Sequence, residues 1–187
     1  MACRILILCL FITRQDLQGL CEMEAKAFEN VKNQIGCCGL WCGSCIVGNG
    51  TLKELTKRYE HLIGGYGVNE WGARNFDGKE FMRGLASIQA LPMCQGCLKG
   101  GGNDECKIRP CARSRRISDC MECNELKTCK NLEALQKVRT GAFHVGMLMK
   151  TDNDKDDPQQ LISKWIAELK NKWPSLILFL DDTQENA

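Results

Sequence analysis

The sequence predicts a mainly α, small, cysteine-rich single domain whose helices are separated by irregular loops, and three observations predict it. Fourteen cysteines are present, and ten of them fall in a spaced pattern: Cys38-x3-Cys42-x2-Cys45, Cys94-x2-Cys97, Cys106-x4-Cys111 and Cys120-x2-Cys123-x5-Cys129. Between these clusters, apolar residues recur at intervals of three and four, the period of an amphipathic helix. No stretch alternates convincingly at period two, so strands are not expected.

The elements follow in chain order. Met1 to Leu20 holds a short apolar run, Ile5 to Ile12, behind Arg4. It imitates a secretory signal poorly, because no small-x-small cleavage site follows and eight apolar residues cannot span a bilayer. Translation is expected to begin at Met23, which leaves residues 1–22 as an extension outside the domain. Thr51 should cap a helix carrying Leu52, Leu55, Tyr59, Leu62 and Ile63 and ending at Gly64-Gly65. A second helix should start near Asp77-Gly78, carry Phe81, Met82, Leu85 and Ile88, and stop before Pro92, delivering the chain to Cys94. Lys99 to Glu105, rich in glycine, reads as a flexible turn that lets Cys97 and Cys106 fold back toward one another. Leu126 to Lys150 has helical spacing weakened by Gly141 and Gly146, as one long helix or two shorter ones. These parts make residues 23–150 the cysteine-rich domain. Residues 151–187 form an acidic linker followed by a packing helix on Leu161, Ile162, Trp165, Ile166 and Leu169. The final Ser175 to Leu180 run suits a short strand or a buried helical turn equally.

Two thiolates two residues apart can turn toward one cation, because the intervening pair forms a knuckle whose backbone N–H groups face the sulfurs. Three such pairs occur here, 42/45, 94/97 and 120/123. The expectation is therefore metal bound by Cys38, Cys42, Cys45, Cys94, Cys97, Cys106, Cys111, Cys120, Cys123 and Cys129, in loops that the metal organises. Zn2+ at two sites is the first choice, and an iron–sulfur cluster is the alternative, since all-sulfur tetrahedral sites suit both. Thiolates free for metal imply a reducing compartment, hence a cytoplasmic protein. Cys94, Cys97, Cys106 and Cys111 make the most compact quartet, with short loops that close at low entropic cost. A second quartet would draw on 42/45 and 120/123, leaving 38 and 129 as neighbours.

Composition bounds the function. With 44% of residues hydrophobic, 26% charged and a net charge of +2, the chain suits a soluble globular domain and gives no reason to expect a membrane. Each zinc held by four thiolates adds a formal charge of about −2, so two would shift the net charge to about −2. Lys107, Arg109, Arg113, Arg115 and Arg116 form a basic run between ligand groups. It can offset thiolate charge, form a solvated helix face, or attract nucleic acid nonspecifically; the last is the weakest reading, because no aromatic side chains are interleaved.

Cys38-x3-Cys42-x2-Cys45 also has the spacing of radical S-adenosylmethionine enzymes, but the barrel those enzymes need does not follow. His61 and His144 lack zinc-finger spacing to any cysteine and read as structural imidazoles. Asp77 and Glu80 read as helix-start carboxylates, and Trp41, Tyr66 and Trp71 as covers for the loops. No reaction can be named from these residues.

Taken together, Cys38-Gly-Leu-x-Cys42-x2-Cys45, Cys94-x-Gly-Cys97, Cys106-x-Ile-Arg109-x-Cys111-Ala112 and Cys120-x-Glu-Cys123-x5-Cys129-x2-Leu132 resemble the bacterial and archaeal family called domain of unknown function 3795, over about residues 35 to 135. The resemblance implies a metal-binding role, inferred within that uncharacterised family from its cysteines, and its many anaerobic members favour iron–sulfur chemistry. Cys3, Cys9, Cys21 and Cys37 have no counterpart in the motif, and Cys37 reads as a spare thiol. The function expected is thus a zinc-binding structural or interaction module. The alternatives are an iron–sulfur protein in electron transfer or redox catalysis, and a zinc-dependent nucleic-acid-binding module. The partner stays open, with a protein as the first candidate.

Overall fold

Apolar periodicity places three of the helices where the sequence puts them. The computed structural model describes residues 28–72, 76–154 and 156–172. Its helices are α1 (Thr51–Gly65), α2 (Val68–Trp71), α3 (Gly78–Gln89), α4 (Ile108–Arg115), α5 (Leu132–His144) and α6 (Pro158–Lys172). Tight 3-10 turns at Cys42–Ser44, Cys97–Lys99, Cys120–Glu122 and Leu126–Thr128 lie between them, and no named strand occurs among the described residues. The mainly α class is as expected. No helix among the described residues is long and apolar enough to cross a membrane.

Local chemistry explains the boundaries. Asp77 caps α3 by accepting from Glu80 N at 2.9 Å, which satisfies one of the orphan donors of the first turn. Thr51 does not cap α1; it is the first helical residue, behind Gly50 in the left-handed region at φ 82°. Asn49 takes over the role from one residue further back, accepting from Thr51 N at 3.0 Å while its amide donates to Gly43 O at 2.8 Å. The 126–150 segment resolves into the 126–128 turn and one helix, α5. It ends at His144, and Gly146 (φ 73°) turns the chain away as Met147 N returns to Ala142 O. Residues beyond that point are extended rather than helical. Ser175 to Leu180, the start at Met23, and Cys3, Cys9 and Cys21 fall outside the described residues.

Two cores result. The first joins Phe28, Trp41, Leu161, Ile162, Trp165 and Leu169. Trp41 is 0% exposed, stacks on Trp165 at 5.8 Å between ring centroids, meets Phe28 edge-on at 6.2 Å, and donates its indole N–H to Lys32 O at 2.7 Å. This is what the α6 periodicity is for. The second core is built around sulfur: Cys37, Ile108, Ala112 and Leu135, flanked by Cys38, Cys97, Cys106 and Cys120. α1, α2 and α3 pack mainly on one another, between Cys45 and Cys94.

The segment from Gln34 to Cys42 links the cores. It curls on itself through Gly36 N to Leu40 O and pairs with the chain after α5 through Trp41 N to Leu148 O (2.9 Å) and Lys150 N to Gly39 O (2.7 Å). Arg139 clamps the crossing by donating to Cys38 O and Lys150 O. Gly39 is required there: its φ is 79°, and a Cβ would come within 2.9 Å of Arg139.

Candidate metal centre

The linking segment sets the position of the cysteines. All eleven described cysteines are free thiols. Cys37 and Cys38 enter the second core, and Cys42 opens the 42–44 turn, anchored by Cys42 N to Gln34 O at 2.8 Å.

Around this segment the 94–97 knuckle folds in. Asn30 donates to Cys94 O at 3.0 Å, and the Gln34 amide donates to Gln95 O at 3.1 Å, so two side chains from the turn at 28–34 hold the knuckle by its carbonyls. Gly96 N donates to Cys94 Sγ at 3.4 Å, as the C-x2-C argument requires. Cys97 Sγ accepts from Cys37 N at 3.2 Å and lies 3.0 Å from the position a Cβ on Gly36 would take, with Cys38 Sγ 3.8 Å from the same point. Sulfurs from two stretches of chain, 36–42 and 94–97, thus approach one another.

The glycine-rich loop after Cys97 is not a flexible turn. Arg109 gathers it by donating to Gly101 O at 2.9 Å, Asn103 O at 2.8 Å and Cys97 O at 3.4 Å. Arg109 N also donates to Cys106 Sγ at 3.5 Å. Spacing concealed this role, because the basic run reads as surface charge.

A second gathering surrounds the end of α4. Arg115, one helical turn beyond Cys111, donates to Cys123 Sγ at 3.8 Å while ion-paired to Glu125 at 2.7 Å. That pairing holds the Glu125 carboxyl below the usual range. Cys120 N donates to Cys37 O at 2.9 Å, and Asn131 N donates to Cys129 Sγ at 3.4 Å. Asp119 sets the 120–122 turn by accepting from Met121 N at 2.8 Å, and Lys150 holds Asp119 in a buried ion pair at 2.9 Å.

Burial dominates the electrostatics of these sulfurs. It pushes Cys42 and Cys120 up to about 12 and Cys37 to about 11, and raises Cys38 as well. Neighbouring sulfurs add to the effect: Cys97, Cys38 and Cys94 on Cys42, and Cys129, Cys111, Cys38 and Cys123 on Cys120. Cys37, outside the motif, is buried, and its peptide touches both gatherings.

The donor chemistry fits a soft or borderline cation: sulfur with N–H groups aimed at it, and few competing oxygens. One buried acceptor, Gln34 Oε1, faces Gly96 with no hydrogen-bond partner among the described residues. The sulfurs are gathered rather than closed, since among the described residues no three His, Cys, Asp or Glu stand close enough together to hold an ion as they are. Binding would draw them inward. Cys45 ends its turn with its carbonyl accepting from Asn49 N, and its sulfur is not among those weighing most on Cys42. His61 and His144 are exposed rather than packed as structural imidazoles. Tyr66 and Trp71, 75% and 69% exposed, cover nothing here; of the three aromatics, only Trp41 lies under the loops.

Residues 34–134 match the model of one protein family, described as protein of unknown function (DUF3795). No curated protein and no solved structure matches the chain.

Proposed function

The chain belongs to the DUF3795 family, and from its sulfur-built second core we propose that it is a metal-binding protein in which Zn2+ held by cysteine thiolates has a structural or interaction role. The observation that carries this reading is the arrival of thiols from distant stretches at N–H donors that suit thiolate: Cys37 N on Cys97, Gly96 N on Cys94, Arg109 N on Cys106 and Asn131 N on Cys129. The energetics support it too. The second core contains three buried aliphatic residues, Ile108, Ala112 and Leu135, with Ile117, Met121 and Leu126 packed partly against them, and its other members are cysteines. A metal there supplies folding free energy that apolar burial at this point does not.

Zinc would be held by some of the ten spaced cysteines, and with four thiolates drawn around it its role would be structural, with no position left for water or substrate. The basic run serves the sulfurs in this reading. Arg109 and Arg115 are committed to the loop carbonyls and to Cys123 and Glu125, which leaves less charge for nucleic acid. A second reading, an iron–sulfur protein in electron transfer, draws on the same N–H to sulfur bonds, which tune cluster potentials. A reducing, cytoplasmic setting goes with either.

Removal of metal tests the proposal. A thiol-competitive chelator added under reducing conditions should lower the melting temperature and expose the Trp41 and Trp165 fluorescence to solvent. A chain that gives up its metal with secondary structure and melting unchanged would contradict the structural role.

A further inference from the structure

We propose that the cleft between α5 and the turn at 151–154 binds a free apolar α-amino acid as its zwitterion, with the carboxylate on Arg139, the ammonium on Asp152 and the side chain along Leu132 and Leu135. The cleft has a volume of about 340 Å³, at the small end of the range for ligand pockets. This site stands apart from the thiols and does not depend on a bound metal.

One face of α5 makes the long wall. Leu132, Leu135, Gln136 and Arg139 line the cleft, and intervals of three, four and seven put them on one side of the helix. Leu132 and Arg139 stand about 10 Å apart along the axis, so the wall runs from apolar at one end to cationic at the other. Met121 and Leu126, from the loop that carries Cys123 and Cys129, face it. The turn at 151–154 closes the Arg139 end. Arg139 Nη2 donates to Lys150 O at 2.7 Å, which sets the guanidinium beside Thr151. The turn is held firm: Thr151 N and Oγ1 both donate to Asp154 Oδ2, at 2.6 and 2.8 Å, and Asp154 N returns to Thr151 O at 3.1 Å. Asp152 stands at its tip and lines the same cleft.

The charges select the ligand. Among the lining residues Arg139 is the one cation and Asp152 the one anion. A simple anion meets Asp152 as a like charge, a simple cation meets Arg139, and a neutral apolar molecule uses neither. A zwitterion with an apolar body satisfies both charges and the Leu132–Leu135 surface together. The groups needed are free to act. Arg139 gives one N–H to Lys150 O and one to Cys38 O, so part of its five-donor fork is unspent. Neither the Asp152 carboxylate nor the Gln136 amide has a side-chain partner among the described residues, and both residues are exposed.

The test is isothermal titration of L-leucine, L-methionine and L-phenylalanine into the full reduced chain as isolated. At least one should bind saturably. Its amide, which lacks the carboxylate, and its N-acetyl form, which lacks the ammonium, should each bind about fivefold more weakly or worse, the factor an exposed ion pair carries. Asp152→Asn should weaken the free amino acid by a similar factor without weakening the N-acetyl form. Gln136→Trp should fill the cleft and abolish binding. Both variants should melt with the wild type, because neither side chain has a structural partner. No saturable binding at millimolar amino acid overturns the proposal. So does equal affinity for the capped forms, indifference to Asp152→Asn, or binding that survives Gln136→Trp.

Discussion

Removing the Lys150 ammonium by Lys150→Met should destabilise the protein more than almost any other single change at a polar position. Lys150 Nζ lies 2.9 Å from Asp119 Oδ2 and 3.4 Å from Glu122 Oε1, with the Asp119 side chain only 4% exposed. Methionine fills similar volume, so packing changes little, but it strands a buried carboxylate. Breaking such a pair from one side costs about 3–5 kcal/mol. For a chain of this size, that corresponds to a fall of about 10 °C in melting temperature. Asp119→Asn should cost less, because Asn keeps an acceptor for Met121 N and the ammonium can still turn to Glu122. The double variant should recover part of the Lys150→Met loss, and the cycle isolates the coupling. The pH dependence carries a sign of its own. Burial pulls the Lys150 pKa down, but the hydrogen bond and charge of Asp119, with Glu122 behind, more than reverse it, so it stands above its ordinary 10.5. A raised pKa stabilises fully below the unfolded value and loses that contribution as pH climbs through the folded one. The gap between wild type and Lys150→Met should therefore narrow at strongly alkaline pH. Denaturant or thermal melts across this series measure all of it. A Lys150→Met chain within about 1 kcal/mol of wild type would refute the reasoning, since that is the range of an exposed pair.

Three further outcomes follow from the geometry. Gly96→Ala places a Cβ against the buried Gln34 Oε1 at φ 77°; the backbone alone should cost about 1–3 kcal/mol, and metal should be lost from the Cys94 and Cys97 region first, read by melting and by alkylation mapping. Trp41→Phe removes the indole N–H from Lys32 O and leaves that carbonyl without its donor, at about 1–3 kcal/mol in denaturant melts, with Trp165 still able to stack on the smaller ring. Because Cys42 and Cys120 sit near 12 and Cys37 near 11, protons must leave before thiolates can bind; metal uptake by reduced protein should release protons to a pH indicator, and apparent affinity should rise with pH through the neutral range. A pH-independent affinity would count against thiolate ligation.

The sequence made some of this legible and hid the rest for physical reasons. α6 is readable because burial on one face imposes a period of 3.6, and Asp77 announces the α3 cap by type and place; α1 keeps the same period although Leu55, Tyr59 and Leu62 stay exposed. α6 in particular presents Leu161, Ile162, Trp165 and Leu169 to Trp41, as its spacing requires. The pairing of residues 39–41 with 148–150 was not legible, because runs of three or four residues carry no period and the crossing is clamped by Arg139 from α5. Cysteine spacing identified the residue type that builds the second core. It left open which sulfurs are neighbours, which depends on where α4 starts and on Arg109 pinning the loop before it. Cys37, outside every motif, turned out to be the most buried of the described thiols for the same reason: its place is set by the linking segment.

The most direct measurement is metal content and visible spectrum on freshly isolated, reduced protein that has never met oxygen. The account predicts a colourless chain carrying two zinc ions held by sulfur; a brown chain with iron would keep the thiolate sites and replace the cation. Folded protein containing neither metal, with all of its thiols titratable in the native state, would contradict the account at its root.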